Sequence, residues 1–148
     1  MKNTEFRLLN YVEYLNWSEN GTPAYFMIRD IYRDEGKVSL SNGAIMLPSP
    51  SMDMIKPIPL TEEWLLKFGF TKHKPGIGGA DMWHGMDAWS IGNSEWLFRG
   101  SPNNGLKLVG YINSNILYVH QLQNLYFALT QTELVITTTP NNNPCLQH

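Results

Sequence analysis

Cysteine is almost absent from this chain of 148 residues. Cys145 stands alone near the C-terminus. An intramolecular disulfide framework and a thiolate metal site are therefore excluded. Long apolar runs are missing too. The longest, such as Ala24–Ile28 and Leu125–Leu129, span 5 residues, against the roughly 20 that a membrane-crossing helix needs. Met1–Arg7 lacks the apolar core of a signal peptide, so a cytoplasmic location and no membrane contact are the expectations. Basic runs are equally scarce. Lys72-His73-Lys74 is the nearest approach, read as a solvated loop, and the net charge is −2. Affinity carried mainly by phosphate neutralisation is disfavoured on that balance.

Familiar catalytic spacings are also lacking. The glycine run Pro75–Ala80 has no Gly-Lys-Ser/Thr ending and feeds no clear helix, so it is not a P-loop. No Gly-x-Ser-x-Gly elbow and no His-Glu-x-x-His pair occur. No catalytic residue, metal ligand or cofactor is assigned, and the balance leans away from an enzyme.

What is present describes an ordinary globular chain: 43% hydrophobic and 16% charged residues, with 5 Trp, 7 Tyr and 6 Phe. A chain of this size buries roughly 70% of its unfolded surface and needs no covalent staples. The pattern predicts an α+β fold. Residues 1–59 read as a β-rich lobe, either a small SH3-like barrel or a bent antiparallel meander. Within it, a β-rich run from Phe6 to Tyr14 is separated by the turn cluster Asn16–Pro23 from a second strand, Ala24–Tyr32. Phe26, Ile28 and Asp30 share one face of that strand, and Tyr25, Met27, Arg29 and Ile31 the other, which suggests a change of face near its end. Asn42-Gly43, between Leu40 and Ile45, is the strongest hairpin signal. Met52–Pro59 reads as an edge strand or connector, since Pro57 and Pro59 cannot donate to a ladder.

Residues 60–138 read as a second lobe sharing the core. Thr61 caps a short helix, Glu62 and Glu63 occupy its first turn, and Gly69 ends it. Trp64 and Leu65 face inward with Phe68, and Phe70 folds back on Leu65, making the segment a structural clamp. Strands are expected at Asp87–Ile91, Glu95–Phe98 and Leu106–Ile112. An amphipathic helix over 119–129 follows, with Val119, Leu122, Leu125, Tyr126 and Leu129 forming its stripe. Glu133–Thr137 reads as a closing strand, and residues 139–148 as a flexible tail.

Two places could hold a binding function. In the glycine-rich loop, His84 lies between Asp81 and Asp87, with Trp83 and Trp89 nearby. On the second helix His120, Gln121, Gln123 and Asn124 form a polar flank beside the apolar stripe. His120 itself reads as a surface or capping residue.

The stretches Lys56–Phe70 (KPIPLTEEWLLKFGF) and Tyr118–Thr130 (YVHQLQNLYFALT) resemble an uncharacterised family of small proteins carried by phages, prophages and mobile elements of gut bacteria. The resemblance extends over most of the chain, starting at Phe6-Arg7. It implies a genomic setting and a shared fold, and carries over no catalytic residues. Two positions depart from it. Similar proteins tend to have glycine where this chain has Gln131 after the second helix, and where it has Leu9 before Asn10-Tyr11-Val12.

The leading expectation is a non-enzymatic accessory protein that binds a protein partner. Two alternatives stand beside it. One is a nucleic-acid-binding module using Arg29, Arg33, Lys37 and Lys56 of the barrel-like lobe. The other is a small enzyme or ligand-sequestering protein using the 74–87 loop.

Overall fold

The computed structural model describes residues 5–73, 87–92, 97–109 and 115–137. It is an α+β protein, with nine strands in two antiparallel sheets and two α-helices among those residues. The chain divides into two compact units, Met1–Pro59 with Tyr118–Glu133, and Leu60–Leu117 with Leu134–His148.

In the first unit, β1 (Tyr11–Glu19) and β2 (Thr22–Tyr32) form a long hairpin. Its turn is Asn20-Gly21, with φ of +54° and +80° and Glu19 opposite Thr22. Positive φ at both central positions is what a two-residue turn matching strand twist requires. The expected turn cluster at Asn16–Pro23 therefore shrinks to two residues, because Asn16–Glu19 stay in β1. A shift in register between Glu13 and Ser18 explains why alternation fails there. Val12 and Tyr14 face the core, and after the irregularity Trp17 does so as well, edge-on to Phe26 at 6.2 Å.

A second bulge, between Ile28 and Asp30, supplies the change of face expected in β2. Phe26 and Ile28 are buried before it, and Ile31 packs on the same core after it. A 3-10 turn, Arg33–Glu35, leads into β3 (Lys37–Ser41). Asn42-Gly43 does mark the next hairpin, but in a wider form. Asn42 keeps an ordinary φ, and its Oδ1 accepts from the Ala44 and Ile45 amides at 3.0 and 2.7 Å. The side chain thus closes a four-residue loop before β4 (Met46–Leu47). A 3-10 turn at Met52–Met54 then carries the chain to β5 (Ile55–Lys56), which pairs with β1. The sheet order is β4-β3-β2-β1-β5, an open sheet among the described residues. Its inner face buries Phe6, Val12, Phe26, Ile28, Val38, Leu40, Met52 and Ile55.

The second α-helix, α2 (Val119–Thr130), groups with this unit rather than with the C-terminal strands that it was expected to close. The reason lies in its polar flank, described below. Its last turn ends at Gln131 with φ +58°, and Leu9 before β1 has φ +69°. Both are left-handed positions that favour glycine.

In the second unit, Thr61 Oγ1 accepts from the Trp64 amide at 3.3 Å and caps α1 (Glu62–Lys67). Trp64, Leu65, Phe68 and Phe70 are buried, and Gly69 between them has φ +90°. The four-stranded sheet follows as β6 (Phe70–His73), β7 (Ala88–Ile91), β8 (Leu97–Arg99) and β9 (Lys107–Leu108), in that order. Lys72 and His73 therefore lie on a strand, not in a loop. Residues 133–137 form no strand. At their end the Thr137 amide donates to the Lys67 carbonyl of α1 at 2.8 Å. Among the described residues no helix is long and apolar enough to cross a membrane.

Candidate functional site

The polar flank of α2 is occupied by the fold. Gln123 is fully buried. Its Oε1 accepts from the Tyr11 amide at 2.9 Å, and its Nε2 donates to the Leu9 carbonyl at 3.0 Å. One side chain thus replaces the strand partner that the entry to β1 lacks, as buried backbone groups demand. Asn124 accepts from Asn10 Nδ2 at 2.9 Å and from Arg7 Nε at 3.2 Å, and donates to the Glu5 carbonyl at 3.0 Å. Gln121 Oε1 accepts from the Tyr118 amide at 3.2 Å, half of a capping box. Gln123 and Asn124 thus form a seam holding residues 5–11 on the helix, while Gln121 caps its first turn.

Arg7 closes that seam. It forms a bidentate pair with Glu133 at 2.6 and 3.0 Å, and its guanidinium lies 4.5 Å from the Phe127 ring centre.

His120 is not the surface residue expected from the sequence. It is 0% exposed, packed at 4.8 Å against Phe6 and 6.0 Å from Tyr118. Among the described residues neither ring nitrogen has a hydrogen-bond partner. Glu5 Oε2 lies 3.6 Å from Nε2, too far for a bond. Burial holds the imidazole below its usual pKa, and the Glu5 carboxylate opposes that shift only in part.

Along this seam runs a groove of about 730 Å³, walled by the Glu5–Leu8 segment, by Asp30–Arg33 at the end of β2, and by Phe127 and Ala128 of α2. Leu8 is 46% and Tyr32 45% exposed at its rim. Arg33 lies beside them, its guanidinium donating to the Phe6 carbonyl at 3.4 Å. The groove combines an apolar wall, an aromatic rim and a guanidinium that has no carboxylate partner among the described residues.

The loop candidates fare differently. Asp81, Trp83 and His84 lie outside the described residues. Asp87 pairs with Lys72 at 3.5 Å, and Lys72 reaches Glu62 at 3.2 Å. The hydrogen bond to Glu62 and the nearby Asp87 charge raise the Lys72 pKa. Trp89 is buried, so its face is closed to stacking. Its Nε1 donates to the Gly100 carbonyl at 3.2 Å, and Lys72 Nζ lies 5.6 Å from its ring centre. No group of three or more metal-ligating side chains occurs among the described residues.

Of the cations proposed for nucleic acid, Arg33 lies at the groove, and the other three have neighbours of their own. Lys37 meets Glu35 at 3.9 Å, Lys56 sits opposite Glu13 in the ladder, and Arg29 contacts Met27 Sδ at 3.9 Å.

Sequence reasoning missed the groove, because Leu8, Arg33 and Phe127 come from three distant segments with no shared motif. The available signal was a polar run, His120–Asn124, beside an apolar stripe, which does not reveal whether its polar groups are bonded inside or left outside. Comparison with family models, with curated proteins and with solved structures returns no match.

Proposed function

We propose that this chain is a non-catalytic binding protein, an accessory factor of phage or mobile-element type that engages a protein partner through the groove of its first unit. The observation that carries the reading is the rim of Leu8 and Tyr32, half exposed beside Arg33. Exposed aromatic and aliphatic anchors next to an available guanidinium are the ingredients of a protein-binding hot spot. The matching partner is a segment with one apolar anchor and a carboxylate to meet Arg33.

An SH3-like reading of the first unit fits the same role. Its supports are the meandering order β4-β3-β2-β1-β5 and the single 3-10 turn linking the last two strands.

A benzophenone photo-crosslinker placed at Tyr32 tests the proposal in the source cell, with the exposed Tyr25, on β2 but outside the groove lining, as control. A discrete protein adduct from position 32 that disappears with Arg33→Ala supports the groove. Adducts from position 25 alone, or from neither position, contradict it.

A further inference from the structure

The second unit carries a concavity of about 450 Å³ lined by Asp87, Arg99, Ser101, Asn104, Lys107 and the glycines of the β8–β9 turn. Arg99 and Lys107 are directly opposed in the ladder. Side chains at opposed positions leave the sheet on the same face, and like charges placed so destabilise the pair. Elsewhere in the described structure, Arg7, Lys37, Lys67 and Lys72 each meet a carboxylate within 4 Å. Arg99 and Lys107 meet none among the described residues. Asp87, the one acid among the described residues of the concavity, is already engaged by Lys72. Two positive charges therefore share one hollow with no carboxylate of their own among the described residues.

The hollow is also held in shape. The Gly100 amide donates to the Asp87 carbonyl at 2.8 Å, and the buried Trp89 donates to the Gly100 carbonyl. The Asn104 amide donates to the Ser101 carbonyl at 3.0 Å. Gly105, at φ +92°, leaves room for the Asn115 side chain, which any Cβ would strike. Such a fixed turn lowers the ordering cost of a ligand.

The geometry points to a phosphoryl-binding site: Arg99 and Lys107 clamp the phosphate dianion of a small molecule, either inorganic phosphate or a phosphate monoester. A guanidinium offers two parallel donors to phosphate oxygens and a lysine adds a point charge. A phosphate monoester carries roughly −1.5 to −2 at neutral pH, which matches two cations where a carboxylate would leave one unmet.

The test is a titration of the full chain in phosphate-free buffer, following backbone amides by NMR, with inorganic phosphate in one arm and glycerol phosphate in the other. Saturable shifts confined to residues 99–107 are expected. Arg99→Gln and Lys107→Gln should each weaken binding by roughly tenfold or more, the loss typical of a bond to a charged group. Whichever arm binds tighter identifies the source as free phosphate or ester.

Thermal unfolding in the same buffer guards against a merely structural explanation. Lys107→Gln relieves the like-charge contact, so its midpoint should equal or exceed that of the unaltered chain. Absence of saturable shifts in both arms overturns the proposal. So does equal binding by the double variant, or binding to a single-stranded oligonucleotide with no response to either anion.

Discussion

The α2 seam of the first unit and the β8–β9 turn of the second use their polar side chains in opposite ways. In the first, Asn10, Gln123, Asn124, Arg7 and Glu133 are bonded to one another or to backbone, binding residues 5–11 to α2. In the second, Arg99 and Lys107 share a face with no carboxylate to meet them among the described residues. A bonded polar residue stabilises the fold and offers little to a ligand. Cations left in mutual repulsion cost stability and gain from an anion. A polar residue beside a core is thus no guide to function until its partners are counted.

The sharpest way to break the contrast is Gln123→Leu. It keeps the volume but strands the Tyr11 amide and the Leu9 carbonyl, each worth roughly 1–3 kcal/mol when left unbonded. A loss of about 3 kcal/mol by denaturant unfolding is expected. Gly105→Ala probes the second unit in the same way. Strain at positive φ together with the clash against Asn115 should cost about 2 kcal/mol, visible as a lowered thermal midpoint.

His120 adds a pH dependence to the first unit. Its folded pKa lies below the unfolded value, so the unfolded chain binds the proton first as pH falls. Stability from this group is complete above the unfolded pKa near 6.5 and declines as pH drops toward the folded value. His120→Phe should flatten that acid limb, measured as unfolding free energy against pH. Glu133→Gln removes a half-buried charge pair and should cost about 1 kcal/mol, less at high salt. The smallest effect has the opposite sign. Gln131→Gly relieves a left-handed φ and should add about 0.5–1 kcal/mol, read as a raised thermal midpoint.

Much of the fold was legible where local chemistry decides it. The Thr61 cap, the burial of Trp64, Leu65 and Phe68, and the bounds of α2 follow from capping and from 3.6-residue periodicity. The face change in β2 was legible as a broken alternation. The β1 irregularity was not, because Asn16 and Ser18 look like turn residues and only pairing with β2 keeps them in a strand. His120 and Gln123 were misplaced on the surface for a related reason. Side-chain polarity records a preference for water, whereas burial was decided by Phe6 and by the unpaired backbone of Leu9 and Tyr11, more than 100 positions away in the chain. The groove and the Arg99–Lys107 hollow were beyond reach because each is assembled by register, which no motif encodes.

The claim that the α2 seam has bonded its polar groups while the β8–β9 turn holds charge in reserve is tested most directly by one measurement. The unfolding free energies of Gln123→Ala and Lys107→Gln should be determined side by side in phosphate-free buffer. The account predicts opposite outcomes: a loss of roughly 2–3 kcal/mol for Gln123→Ala, and no loss or a small gain for Lys107→Gln. A Gln123→Ala chain as stable as the original, or a Lys107→Gln chain that loses as much, would contradict it.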